Sequence, residues 1–196
     1  WALFSAEAEY AESIVQSSLG NTEASVAALR RSLACKPDYA PALMSVGSVE
    51  YQLGRRAKGR KLFLSLLSLS KNTPDIITAI DEAGEFLIQM RIYKDGLELY
   101  REAAARFPKT AVFHQGVGCC AAHERFFDEA IAASQRAFEL EPGNQELAND
   151  LGYSLYEAGR LKEAQKLLEK AVAMDPANEL ARTNLALCKK KMLRAK

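Results

Sequence analysis

Small and large apolar residues follow a fixed order that returns every 34 residues. In the stretch 145–178 the order is Leu151-Gly152, Tyr156, Gly159, Ala164, Leu168, Ala171 and Pro176. One period upstream the same places hold Val117-Gly118, Ala122, Arg125, Ala130, Ser134, Ala137 and Pro142. A further period back they hold Ala83-Gly84, Ile88, Arg91, Gly96, Tyr100, Ala103 and Pro108, and Pro74 stands upstream again. A period of this size marks a stack of small supersecondary units, each touching its neighbours. No alternating segment bounded by turn residues stands out, so strands are not expected and the chain reads as all-α.

The order has a steric logic. Numbered within a unit, the eighth and twentieth places are small, so two helix backbones can approach closely. The twentieth holds Ser25, Gly59, Gly96, Ala130 and Ala164. The twenty-fourth holds Leu29, Phe63, Tyr100, Ser134 and Leu168, mostly large, to fill the space beyond. The prolines cannot continue a helix and so separate one pair from the next. Gly20, Gly54 and Gly159 mark the turn inside a pair. The units read as 6–39, 40–76, 77–110, 111–144 and 145–178, followed by an amphipathic helix over about 179–194.

These residues resemble the tetratricopeptide repeat, whose marks are Leu-Gly in the first helix, Ala and Phe/Tyr in the second, and a closing Pro. The resemblance covers nearly the whole chain. It implies a right-handed α-solenoid of five such helix pairs plus a C-terminal capping helix, forming a single domain of residues 1–196. Leu180, Leu185, Ala186 and Leu187 are expected to dock that cap on the fifth unit.

Unit two carries about three residues too many before Pro74, against the repeat template. Either its second helix runs almost a turn longer, or its link to unit three loosens, with a change of twist there. The run LFLSLLSL (62–69) is too short to span a bilayer, which needs about 20 residues, and reads as buried helix. The opening Trp1, Leu3 and Phe4 lack the features of a signal peptide. They are expected to pack on the first pair or on an element outside the sequence, as in a piece of a longer chain.

With 48% apolar residues the chain can bury a continuous core. The net charge of +1 hides a pattern: residues 51–71 sum to +6 and 111–188 to −5. The cluster Arg55, Arg56, Lys58, Arg60 and Lys61 is either wet surface or a contact for an acidic partner or anionic lipid. No basic stripe is interleaved with aromatics and the isoelectric point is near 7.8, which argues against nucleic acid. Cys35, Cys119, Cys120 and Cys188 show neither Cys-x-x-Cys nor zinc-ribbon spacing, so reduced thiols in a cytoplasmic setting are expected.

The first helix of each pair is expected to line a concave groove, which in the resembled family usually binds peptides or partner segments. On the helical wheel the candidate groove residues are Asp81, Glu85 and Gln89 in unit three and Gln115, Cys119 and His123 in unit four. Unit five contributes Glu146, Asn149, Tyr153 and Glu157. Ile88 and Tyr156 add apolar surface, with Tyr156 able to turn into the core. The wall is acidic to neutral. Family members that hold acidic chaperone tails use a clamp of Lys, Asn and Arg; here the matching places hold Tyr10, Ile14, Ser45, Thr78 and Glu82. The expected partner is therefore a basic or amide-rich protein segment, its backbone hydrogen-bonded by amides such as Gln115 and Asn149.

Cys119 and His123 stand four apart on one helix face. With Glu85 and Glu157 nearby they would offer a metal site or a Cys-His nucleophile, against the plainer reading as groove lining. No phosphate loop, nucleophile elbow, zinc-protease helix or dinucleotide fingerprint occurs, so neither catalysis nor a cofactor is expected. The sequence thus reads as a non-enzymatic interaction scaffold or adaptor. Two alternatives stay open. One is the regulatory region of a larger enzyme or sensor. The other is self-assembly into a homo-oligomer, motivated by Trp1, Leu3 and Phe4.

Overall fold

The computed structural model describes residues 5–194, and these contain eleven helices and no strand. In chain order they are α1 (Ala6–Ser18), α2 (Thr22–Cys35), α3 (Ala40–Gln52), α4 (Arg56–Leu66), α5 (Ile76–Gln89) and α6 (Tyr93–Arg106). The remainder are α7 (Ala111–His123), α8 (Phe127–Leu140), α9 (Gln145–Glu157), α10 (Leu161–Met174) and α11 (Glu179–Arg194). The expectations on Trp1, Leu3 and Phe4 lie outside the described residues. The chain divides into two compact units, with the division inside α5 between Phe86 and Leu87.

The first unit contains two helix hairpins, α1 on α2 and α3 on α4, with α2 against α3. The small-against-large rule is visible in the second hairpin. A side chain added at Gly47 would collide with the Phe63 ring, and one at Gly59 with the Tyr51 ring. Phe63, 1% exposed, also meets Tyr51 and Phe86, at ring-centre distances of 5.2 and 5.9 Å.

The second unit repeats the scheme with α7 on α8 and α9 on α10, while α6 packs on α7, α8 on α9, and α11 on α10 and α9. Gly152 receives Leu168, and Gly116 receives the Tyr100 ring. A core of Leu151, Leu155, Ala164, Leu168 and Cys188 is closed by Leu185, Met192 and Tyr156, so Tyr156 does turn inward.

The helix ends follow from local chemistry. Ser5 caps α1 by accepting from the Ala8 N–H at 3.1 Å. Asn144 caps α9 by accepting from Glu146 and Leu147, and Asn178 accepts from Ala181 at the start of α11. Four connections are four residues long (36–39, 107–110, 141–144 and 175–178), and each carries one of the periodic prolines or Pro37. Inside the pairs Gly20, Gly54 and Gly159 have φ of +74° to +78°, and Arg91 and Arg125 hold the same place at +57° and +64°. These arginines carry the steric cost of left-handed backbone that glycine avoids.

Unit two resolves its extra residues by loosening. α4 is 11 residues long where α2, α6, α8 and α10 have 14, and nine residues, 67–75, link it to α5. The run 62–69 therefore leaves the helix after Leu66, contrary to a helix buried throughout. Leu66 is the buried anchor, and Leu67 and Leu69 are half-buried in turns. The basic cluster occupies α4's N-terminal turns with every member exposed and no acid in the first turn.

The face of α11 also differs from expectation. Ala181, Asn184 and Cys188 are buried, with Leu185 beside them, while Leu180 and Leu187 are 62% and 44% exposed. The bulky leucines set the apolar wheel read from sequence. The neighbouring helices instead accept small and polar residues, because α9 presents Asn149 for pairing.

Candidate functional site

The polar residues of α7, α9 and α11 are joined laterally. The Gln115 side-chain amide donates to Asp150 Oδ2 at 2.8 Å. The Asn149 amide donates to Asp150 Oδ1 at 3.3 Å and accepts from Asn184 at 2.9 Å. Both longer-range bonds join a fifth-place amide to the sixth place of the next unit, with Gln115 donating in the first and Asn184 donating in the second. Asn149 is only 4% exposed and its amide is occupied on both sides. It serves the stacking of repeats and is not on a groove wall, contrary to the reading from sequence. Asp150, half-buried, has its carboxyl held above the usual range by burial, opposed by the Gln115 and Asn149 donors, and raised slightly further by Glu146.

Beside Asp150 a cavity of about 110 Å³ opens between α7, α8 and α9, lined by Gly118, Cys119, Ala122, His123, Ser134, Asp150, Tyr153 and Ser154. Its origin is a gap in the repeat code. The twenty-fourth place is buried Leu29, Phe63, Tyr100 or Leu168 in four units, but Ser134 in the fourth. Facing Gly118, the serine leaves unfilled the volume that Leu168 fills against Gly152. The Ser134 and Ser154 hydroxyls, both buried, lie 3.1 Å apart in a hydrogen bond.

Three expected groove residues, Cys119, His123 and Tyr153, meet at this cavity. Tyr153 is 38% exposed and lies 5.9 Å from the Tyr156 ring. Partial burial, then the charge and hydrogen bond of Glu157, hold its phenol above the ordinary value. His123 stacks flat on Tyr93 of α6, with ring centres 3.9 Å apart and planes 9° from parallel. Gln115 is half-buried in the lateral ladder, and Glu146 and Glu157 are exposed on α9. Gln89, last in α5, is exposed; in the first unit Glu85 is exposed and Asp81 half-buried.

Among the described residues no three His, Cys, Asp or Glu side chains are grouped to hold a metal ion. All four cysteines are unbridged, and Cys119 faces the cavity while Cys120 is buried behind it. No described helix is long and apolar enough to cross a membrane.

Asp150, Ser134 and Tyr93 were missed from sequence. Ser134 had a signal, the lone small residue among large ones at its place. Asp150 had a weaker one, a charged neighbour of Asn149 inside an inward-facing turn. Tyr93 lies 30 residues from His123 and had none.

Helix hairpins packed through small residues against large ones define an α-solenoid protein. Residues 121–188 match the family model of the tetratricopeptide repeat. Small glutamine-rich tetratricopeptide repeat-containing protein 2 of Mycosarcoma maydis is 26% identical over 109 residues, 56% of this chain and 31% of that protein. The chain therefore matches less than a third of the length of this curated relative. Among solved structures, MamA from Desulfovibrio magneticus RS-1 is similar at TM-score 0.64 and 20% identity, covering 89% of this chain and 97% of that one. YrrB, a TPR protein with an unusual peptide-binding site, is similar at TM-score 0.62 and 20% identity, covering 89% of each. The second TPR domain of human RPAP3, solved with the HSP70 peptide SGPTIEEVD, has TM-score 0.51 and 21% identity, covering 54% of this chain and 88% of that one. Over residues 121–188 the chain matches the tetratricopeptide repeat, and its fold is similar to that of solved tetratricopeptide-repeat proteins.

Proposed function

We propose that the protein is an interaction scaffold or adaptor that holds a segment of a partner protein along the exposed wall of α7 and α9. The observation that carries this reading is the cavity opened by Ser134 beside the half-exposed Tyr153. A cleft flanked by an exposed aromatic ring gives a side chain somewhere to anchor. The wall around it carries Asp150, Glu146 and Glu157 and no lysine or arginine lines the cavity. This favours a basic or amide-rich segment over an acidic one. The RPAP3 domain was solved with a peptide ending in Glu-Glu-Val-Asp. With a cationic clamp for such a tail laid on the first three units, the present chain offers Tyr10, Ile14, Ser45, Thr78 and Glu82 in its place, which favours a different partner chemistry.

The test is capture of peptides of graded charge on an array, followed by fluorescence anisotropy on the strongest. Tyr153→Ala is expected to weaken capture about ten-fold, as loss of an interface aromatic does. Joint charge reversal of Glu146 and Glu157, both on α9, is expected to shift preference toward acidic peptides. Unchanged preference after that reversal would reject the acidic wall.

A further inference from the structure

The cavity itself has a chemistry that narrows the partner. We infer that it receives the ammonium end of a lysine side chain from the bound segment, with Asp150 as counter-ion. This rests on the interaction-module reading and adds the class of residue recognised.

Four observations support it. First, the cavity exists because one buried place holds serine where the other units hold Leu, Phe or Tyr, so room is left at a single repeat. Second, its polar lining is acceptor-rich: one carboxylate, two serine hydroxyls, the Tyr153 phenol, a thiol and an imidazole, with no lysine or arginine beside Asp150 among the lining residues. Burial raises the Asp150 pKa, and a cation placed there would offset that penalty. Lys191 of α11 does not supply it, since its amine lies 4.4 Å over the Tyr156 ring and 3.3 Å from the Tyr156 carbonyl oxygen.

Third, Gly118, Ala122 and the Tyr153 ring form apolar walls suited to a methylene stem. Fourth, the hydrogen bonds around Asp150 discriminate between cations. Gln115 already donates to Oδ2 and Asn149 to Oδ1. A guanidinium fork seeks both oxygens side by side, whereas an ammonium is a point charge that needs one remaining lone pair and a nearby hydroxyl.

The experiment is a nitrogen-15 amide NMR titration of the whole chain with n-butylammonium chloride, n-butylguanidinium chloride and 1-butanol as side-chain probes. Saturable shifts are expected at Cys119, Ala122, Tyr153 and Ser154 with butylammonium. Binding of the other two probes is expected to be about five-fold weaker or more, the scale of one charge-assisted hydrogen bond. Asp150→Asn should weaken butylammonium by a similar factor. The double variant Ser134→Leu/Ser154→Ala, which restores the Gly152–Leu168 arrangement and removes both hydroxyls, should abolish it. The probe comparison uses the unaltered protein and so does not depend on either variant folding. Absence of saturable shifts, or equal response to butanol, overturns the inference. Peptide capture that is equally strong in the double variant also overturns it, and the scaffold reading then stands on Tyr153 and the acidic wall without the cavity. Butylammonium binding at the cavity without capture of any peptide supports the cation site and rejects the scaffold reading.

Discussion

In the first unit the charge buried within a hairpin is Glu9, 5% exposed, whose carboxylate meets the Arg31 guanidinium at 2.7 Å. In the second unit a set of amides gathers around Asp150, and two of its hydrogen bonds run from one repeat to the next. The two arrangements do different work. An ion pair inside one hairpin, with Arg31 half exposed to water, is screened and contributes little beyond that hairpin. A ladder between successive first helices fixes the register of one repeat on its neighbour, and its buried members, Asn149 and Asn184, have no solvent to fall back on. The units differ also at the small-against-large contact. Gly47 is filled by Phe63, whereas Gly118 faces Ser134 and a cavity. A repeat protein can thus open a cavity by relaxing its packing code at one unit while its neighbours keep theirs.

That contrast can be broken at several strengths. The largest effect should come from the filled contacts: Phe63→Ala is expected to cost about 4 kcal/mol and Leu168→Ala about 3 kcal/mol, read by urea unfolding followed by circular dichroism. Ser134→Ala, at the cavity, should cost far less; a comparable loss would show that the fourth unit is as tightly filled as the others.

Next comes the ladder. Asn149→Ala strips a donor from Asp150 and an acceptor from Asn184, and about 2 kcal/mol should be lost. Glu9→Ala should cost about 1 kcal/mol or less. If Glu9→Ala proves the costlier of the two, the distinction drawn between the units is wrong.

Smaller, and opposite in sign, is the turn. Arg91→Gly relieves a left-handed arginine and should raise the unfolding midpoint by a gain of about 1 kcal/mol, net of glycine's extra freedom when unfolded. No gain would mean that the arginine side chain compensates for its backbone.

The smallest effect is a pH slope. Asp150 has a folded pKa above its ordinary 3.8, so the proton is held more tightly folded than unfolded. Its contribution is fully present below that ordinary value and is lost as pH rises through the raised folded one. Asp150→Asn should remove this part of the slope in stability measured upward from about pH 4. An identical slope in the variant would assign it to other carboxylates.

Much of this architecture was legible in the residues. The 34-residue period, the proline-bearing connections and the small places facing large ones are repeated local signals, and each unit confirms the next. The irregularity of unit two was visible as a count, although its form was not. Whether three extra residues lengthen a helix or a link depends on which apolar side chains find partners, and here only Phe63 and Leu66 are fully buried. Of the candidate site, the helical wheel put Cys119, His123 and Tyr153 on one side of their helices, and the structure brings these three together at the cavity.

What the sequence determined alone was therefore periodic: the helix pairs, their turns, and one odd serine in a column of large residues. What the tertiary structure decided lies at the boundaries between faces. Asn149 turns in because Asn184, 35 residues on, is there to meet it. His123 finds Tyr93 on another helix, and the apolar stripe of α11 passes over its leucines to bury Asn184 and Cys188. The reason is physical. A helical wheel gives the direction of each side chain, but burial and hydrogen bonding are settled by what the next helix brings to that direction.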